Sequence, residues 1–303
     1  MNDFLQYTLN GLTVGAFYAL VALGYTMVYG IIRLLNFAHG DFFMVGAFLA
    51  TGVLSLLTGS GLPSGLVVVV ALVAATAAAA ALGGVSARIV YLPLVKAPKL
   101  SLLVSALGLS LAVEYGTALS QGTGFRSVPH IGFLSAEHAV GLTDGVRLTY
   151  AQLGVIGVSL ALMIGLYLYV TRTFTGTAMR VLAMDQDAAR LMGVNVERTI
   201  MMTFVIGAGL AGTAGTMYAL YYPQVNFLMG FLLGLRAFTA AVLGGIGNIP
   251  GAMVGGFLIG LLESYATGYV AGRWTDVVVF GVLIGVLVIR PSGILGERVA
   301  ERV

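Results

Sequence analysis

The chain has 303 residues, of which 59% are hydrophobic and 9% charged, with a formal net charge of +3 and no cysteine. A soluble globular domain carries about 25% charged residues, so this composition excludes a soluble fold, and a mean hydropathy of +0.99 indicates that lipid covers the surface. The absence of cysteine excludes disulfides and thiolate metal sites, and the small, dispersed positive charge argues against nucleic acid as a partner.

Hydrophobic stretches recur along the whole chain. A helix needs about 20 apolar residues to cross a hydrocarbon core of about 30 Å. We therefore predict one all-α transmembrane domain over residues 1–303, a polytopic bundle of about nine spans, or eight to ten where segments are short or re-entrant. The first stretch has no basic region or cleavage site before it, so we expect it to stay in the membrane. The candidate spans are residues 5–29, 42–58, 66–87, 101–120, 151–171, 199–222, 228–246, 250–270 and 276–290.

A polar break, residues 36–41, follows the first span. Unpaired polar groups are costly in lipid, so this segment must face protein or a water-filled cavity. Asp41 is placed to cap a helix that begins at Phe42, and this structural role is the preferred interpretation. The alternative is that Asn36, His39 or Asp41 lines a solute pathway.

Two loops are long enough to hold structure of their own. Residues 121–150 are rich in turn-forming residues and predict a loop with at most a short surface helix. Residues 172–198 contain an amphipathic segment, 177–192, which predicts a short helix between two spans. Asp185 either interrupts that helix or caps a second one, and Gly193 suits a left-handed stop. The segment either rests on lipid headgroups or docks into a groove of a partner protein.

A second break, residues 244–251, contains Gly245 and Asn248. Its glycines permit irregular backbone, and a helix N-terminus near Pro250 offers a place for an anionic carboxylate. Residues 43–48 resemble residues 252–257, each after such a break, which is either a trace of an internal repeat with broken or re-entrant helices or chance in a glycine-rich chain.

The charged residues in the interior of predicted spans are Glu114, Arg236 and Glu263. Intramembrane charge is costly and is a functional candidate by default, although Arg236 is expected to pair with one of the two glutamates. Glycines spaced by four predict close helix packing, within this chain rather than at a dimer face. These pairs are Gly11/Gly15, Gly251/Gly255, Gly256/Gly260 and Gly281/Gly285.

The distribution of basic residues predicts the orientation. If the 172–198 loop is cytoplasmic, eleven Lys and Arg residues in loops lie inside and three lie outside, as the positive-inside rule requires. The N-terminus is then periplasmic and the C-terminus cytoplasmic. The outer residues are Arg126, Arg147 and Arg273, and the inner ones are Arg33, Arg88, Lys96, Lys99, Arg172, Arg180, Arg190, Arg198, Arg290, Arg298 and Arg302.

The sequence lacks the motifs of several kinds of catalytic and binding site. A phosphate-binding G-x-x-x-x-G-K-[ST] loop, a zinc-binding H-E-x-x-H motif and a G-x-S-x-G nucleophile elbow are all missing. We therefore expect no catalytic residues, no metal site and no cofactor bound by this chain, and an enzyme within the membrane is the weaker class.

Five segments resemble, in order, the LivH-type permease subunits of ABC importers for branched-chain amino acids, and together they cover nearly the whole chain. The 176–194 segment is similar to the coupling region of that family, which places Gly176, Ala178, Arg180, Ala183, Asp185, Ala188 and Gly193 there. The other candidate positions, Asn36, His39, Asp41, Gly245, Asn248 and Glu263, are assigned to the pathway or to helix breaks. The resembling segments are residues 35–41, 176–185, 188–194, 237–252 and 290–296.

This resemblance implies an assembly in a bacterial inner membrane. The chain would pair with a LivM-like permease, two cytoplasmic ATPases would use ATP and dock on the coupling helices, and a periplasmic binding protein would deliver the solute. Urea and short-amide permeases share these motifs and remain an alternative. A stand-alone secondary transporter or channel is the alternative from another class.

Overall fold

The computed structural model describes residues 2–33, 35–95, 97–134, 138–143 and 145–296, and most of them are helical. The long helices are α1 (Asn2–Ile32), α2 (His39–Leu57), α3 (Ser64–Ser86), α5 (Lys99–Gln121), α6 (Tyr150–Arg172), α9 (Val196–Tyr221), α10 (Met229–Gly244), α11 (Ile249–Tyr265) and α12 (Thr275–Ile289). The short ones are α4 (Leu92–Leu94), α7 (Phe174–Met184) and α8 (Gln186–Leu191).

Eight of the nine predicted spans are confirmed. Within the described residues, eight helical segments are long and apolar enough to cross a membrane, and α10 is a shorter apolar helix of 16 residues. Two spans end in π-helical turns: α3 continues through Ala87–Tyr91 into α4, and α11 continues through Ala266–Val270. The protein is a polytopic helical membrane protein.

Helices α1 and α9 form the centre of the bundle and are the most buried of the long helices. They touch each other at Gly24 and Gly207, where the missing side chains let the two backbones approach. Along its length α1 packs on α11, and α9 packs on α3. In lipid there is no hydrophobic driving force between helices, so the close packing that small residues permit holds these helices together.

The two halves of the chain make corresponding helix contacts. Helices α1, α2, α3 and α5 of the first half correspond to α9, α10, α11 and α12 of the second. The contact of α1 with α11 thus has its counterpart in the contact of α9 with α3, and the contact of α2 with α3 in that of α10 with α11. The π-helical turns follow the exchanged helices α3 and α11. The start of α1 and the end of α9 lie beside each other, where Gln6 and Tyr221 line one pocket. The two halves therefore run in opposite directions, as in an inverted repeat. Residues 43–48 and 252–257, which suggested a repeat in the sequence, lie on α2 and α11, so that match is not its source.

The two ends of the bundle differ. On one side, called the strand side, Gln6 of α1 accepts a hydrogen bond of 2.9 Å from the Arg147 backbone N–H. On the other, called the α7–α8 side, Arg33 donates to the Ala183 carbonyl at 3.4 Å, and the Ile294 N–H donates to Leu243 at 2.8 Å. Residues 2 and 294 therefore lie on opposite sides.

The strand side carries two small antiparallel sheets. Strand β1 (Arg126–Ser127) pairs with β4 (Gln224–Val225), and β2 (Ala139–Thr143) pairs with β3 (Val146–Thr149). A 3-10 turn spans Gly132–Leu134. The 121–150 loop was expected to hold at most a short surface helix, and the strands are the part that was not anticipated.

Candidate functional site

The segment between α6 and α9 folds into two short helices. The Thr173 hydroxyl accepts from the Gly176 N–H at 3.1 Å and starts α7. Asp185 then ends α7 and caps α8, accepting from the N–H groups of Asp187 at 2.8 Å and Ala188 at 3.0 Å. The backbone N–H groups of Ala188 and Asp187 hold the pKa of the Asp185 carboxyl below its usual range. Asp185 therefore does both things that were considered for it: it interrupts the predicted 177–192 helix and caps a second one.

One face of this segment is fixed to the bundle. Gly176 is buried against the carbonyls of Tyr169 and Val170, where a side chain would not fit. Ala178 is buried beside it, and Ala183 is half-buried. At the junction of the two helices, the Gln186 amide donates to the carbonyl of Ile31 at 3.2 Å. The segment is therefore attached to the ends of both α1 and α6.

The other face is open. Arg180, Asp185, Ala188 and Gly193 are exposed, and Gly193 stops α8 with a φ of +82°, as expected. A group of exposed large apolar side chains on one segment marks a candidate interaction site, whereas single ones are common. Four of them form what we call the apolar patch: Phe174, Met184, Leu191 and Met192, which are 77–91% exposed.

The first polar break lies inside the bundle. Residues 35–38 are not helical, and α2 begins at His39 with Ala38 at its N-cap. The prediction that Asp41 caps a helix beginning at Phe42 is wrong. The helix starts earlier, and the Asp41 carboxylate accepts a hydrogen bond of 2.5 Å from Ser110 of α5. Asp41 also lies beside Gly230 in the first turn of α10, so the N-termini of α2 and α10 meet at this carboxylate.

The neighbouring side chains of the break are also buried. Asn36 accepts a hydrogen bond of 2.5 Å from the Tyr91 hydroxyl, and the His39 ring packs on Gly24 and on Tyr25. Asn36 Nδ2, His39 Nε2 and Asp41 Oδ1 have no hydrogen-bond partner among the described residues. The break thus keeps polar bonding capacity within the bundle. That these residues line a pathway stays a prediction.

The second break is closed by side-chain and backbone contacts. Gly245 and Gly247 have φ values of +107° and +94°, which favour glycine. The Asn248 side chain caps α11 by accepting from the Gly251 N–H at 2.9 Å and donates to the Leu295 carbonyl at 2.9 Å. The sequence offered this helix N-terminus as a candidate site for a substrate carboxylate. In the structure the Asn248 side chain already accepts the Gly251 N–H there, at the position that such a carboxylate would take.

Arg236 and Glu263 form a network on the strand side of the second break. Arg236 donates to Glu263 at 2.7 Å, as the sequence predicted for one of the two glutamates, and also to Asp276 at 2.7 Å. The Tyr18 hydroxyl donates to the other Glu263 oxygen at 2.5 Å. Glu114 is not part of this network: it is buried on α5, one turn beyond Ser110. The arrangement joins α1, α10, α11 and α12.

The structure does not gather the predicted residues into one site. It separates the exposed face of α7–α8, a buried break at 36–41 and a closed turn at 245–248. Sequence reasoning missed Ser110, Tyr91 and Asp276, which have no local motif and are identified only by their partners. It also missed a cavity between α2 and α5 on the strand side.

The comparisons with known proteins cover almost the whole chain. Residues 7–287 match the family described as the permease component of the branched-chain amino acid transport system. The chain is 42% identical to the high-affinity branched-chain amino acid transport permease BraD of Pseudomonas aeruginosa, over 99% of this chain and 98% of that one. It is 39% identical to the LivH permease of Escherichia coli K12, with the same coverage.

A solved structure shares the fold. A metal-chelate type ABC transporter in an inward-facing conformation superposes with a TM-score of 0.50 and 17% identity, over 94% of this chain and 87% of that one. At this identity the likeness concerns the helical architecture alone.

Proposed function

Because the chain belongs to the family of permease components of branched-chain amino acid transport systems, we propose that it is a LivH-like subunit of an ATP-driven importer for these amino acids. It forms one half of the translocation pathway, and a LivM-like second permease forms the other. A periplasmic binding protein delivers the solute. The chain itself holds no cofactor, and ATP is used by two cytoplasmic ATPase subunits.

The orientation follows from charge. The α7–α8 side carries Arg33, Arg172, Arg180, Arg190 and Arg198, and the strand side carries Arg126, Arg147 and Arg273. By the positive-inside rule the α7–α8 side is cytoplasmic, and the N-terminus is periplasmic. We infer that the protein lies in a bacterial inner membrane with its strand sheets toward the binding protein.

The apolar patch is the observation that carries the proposal. A helix resting on headgroups would turn its apolar side chains toward the bundle or the lipid, and a docked helix presents them to a partner. Here Leu191 and Met192 extend from the end of α8 while Gly176 and Ala178 fix the base. This geometry suits a knob that inserts into a groove of an ATPase.

Movement of the knob reaches the bundle through packed contacts. Helix α7 packs on α1 and α6. A small cavity of about 70 Å³ lies beside these contacts, with Met179, Gly30 and Gly247 in its wall. We infer that closure of the ATPases pushes α7 and α8 and that α1 and this turn move with them. Such rigid-body movement switches the pathway between its two sides.

Reconstituted vesicles test the function. We expect the chain with its second permease, both ATPases and the binding protein to accumulate labelled leucine when ATP is present, with unlabelled isoleucine competing and urea or acetamide not competing. The chain alone is expected to carry none. Leucine movement down its gradient by the purified chain alone would contradict the ABC assignment, and competition by urea would contradict the substrate.

Substitution in the knob tests the coupling. Leu191→Glu or Ala188→Glu places a charge in the proposed groove, so we expect transport-linked ATP hydrolysis to fall about tenfold or more, as for a buried unpaired charge in an interface. Membrane insertion should not change, because both side chains are exposed. Leu62→Glu, an exposed leucine in the loop on the strand side, is the matched control. Full ATPase coupling in both knob variants would exclude this segment from the mechanism.

A further inference from the structure

A cavity of about 490 Å³ lies between the last turns of α2 and α5 on the strand side. Sites for small molecules have volumes of about 300–1,000 Å³ and combine apolar walls with a few placed polar groups. The large apolar side chains in its wall are Val45, Phe48, Leu49, Val53 and Leu56, all on α2. The cavity thus has the size and the apolar lining that suit an aliphatic side chain.

Arg126 is the single charged side chain among the described residues that line this cavity. Strand β1 holds it, because Arg126 pairs with Val225 of β4, which is buried. The guanidinium donates to the Gln121 side chain at the end of α5. Its Nη2 lies 4.0 Å from the position that a Cβ on Gly52 of α2 would occupy. Arg126 therefore spans the mouth of the cavity between the two helices.

Hydroxyl groups supply acceptors in the same cavity. Ser55 donates to the Thr51 carbonyl at 2.8 Å, Thr117 to Val113 at 2.8 Å, and Ser120 to Thr117 at 3.2 Å. A hydroxyl has one donor and two acceptor lone pairs. Because each hydrogen is directed to a backbone carbonyl, the oxygens keep lone pairs that can accept from an ammonium group.

We propose that this cavity is a binding site for a zwitterionic aliphatic amino acid, with Arg126 holding the carboxylate. The guanidinium is planar and always charged, and it matches a carboxylate with two parallel hydrogen bonds. The α2 wall takes the branched side chain, and the hydroxyls of Thr117 and Ser120 take the ammonium. The inference rests on the proposed import function and adds to it a site in the permease itself, on the side that faces the binding protein.

Equilibrium dialysis of labelled leucine against the detergent-purified transporter, without the binding protein, tests the site. We expect saturable binding that leucinamide, which lacks the carboxylate, displaces poorly. Arg126→Gln should weaken leucine binding about tenfold or more, since hydrogen bonds to charged groups are the strong ones. Arg126→Lys keeps the positive charge but cannot make two parallel hydrogen bonds. Its affinity for leucine should therefore lie between those of the wild type and Arg126→Gln. Arg147→Gln, an exposed arginine on the same side, is the control and should bind like the wild type.

A second variant covers the case in which Arg126→Gln does not assemble. Leu49→Trp fills the cavity from α2, and we expect it to abolish leucine binding while the complex still purifies. Leucine binding that both Arg126→Gln and Leu49→Trp leave unchanged would overturn the site. So would the absence of saturable binding in the wild-type transporter. If ATP-dependent leucine uptake persists in that case, the proposed import function stands without this site.

Discussion

Replacement of Arg236 with leucine is expected to destabilise the protein by about 3–5 kcal/mol, because it leaves a charge without its partner in the membrane region. The Glu263 side chain is only 16% exposed and receives hydrogen bonds from Arg236 and from Tyr18. Asp276 is 55% exposed, so water solvates it after the loss of Arg236. The cost therefore falls mainly on Glu263, and the melting temperature in detergent should show it.

The double variant Arg236→Leu/Glu263→Leu separates an unpaired charge from lost packing. Replacing a buried ion pair with apolar residues is often close to neutral, so we expect the double variant to recover most of the stability lost in the single one. Arg147→Leu, which removes an exposed arginine, should change the melting temperature little. A double variant as unstable as Arg236→Leu would contradict this account of the network.

The sequence predicted one part of this network and not the other. Arg236 and Glu263 both lie in recognisable spans, and intramembrane charges of opposite sign need each other. Asp276 stands at the start of α12, next to a 3-10 turn, and nothing in its neighbourhood marks it as a partner. Hydropathy finds spans because their length is set by the bilayer, but it carries no information on which spans are adjacent.

The same limit explains the error at Asp41. Local rules assign an acidic residue before an apolar run to a helix cap, and they do so correctly at Asp185, where the capped N–H groups are two and three residues away. At Asp41 the partner is Ser110, on a different helix. A contact between α2 and α5 depends on the arrangement of the bundle, which a single segment does not specify.

The cavity between α2 and α5 could not be predicted from the sequence for a related reason. In the sequence Arg126 is an ordinary loop residue, and only its pairing with Val225 brings it close to Gly52. The apolar residues of α2 that face the cavity have the same composition as those that face lipid. Distinguishing the two requires the position of α5.

A bulky substitution in one of the glycine pairs between α1 and α11 is the second change for which we expect a large loss of stability. Gly256 packs on Ala19 and Gly260 packs on Gly15, so α1 and α11 approach with no room for a side chain. Leucine at position 260 would push the two most extensively packed helices apart. Overpacking costs about 1–3 kcal/mol in ordinary cores, and more where backbone must move. We expect Gly260→Leu to exceed that range and to abolish accumulation of folded protein in the membrane.

The fourth pair provides the control within the same chain. Gly281 and Gly285 on α12 are exposed. Apart from the local backbone of α12, no atom of the described residues lies within 4 Å of the position that a Cβ would occupy at either one. Gly281→Leu is therefore expected to insert and to elute as a single folded species in size-exclusion chromatography. The intrachain packing predicted for all four pairs thus holds for the three that the bundle encloses, while α12 has an open face at the fourth. Normal folding of Gly260→Leu, or collapse of Gly281→Leu alone, would contradict this assignment of which glycines hold the bundle together.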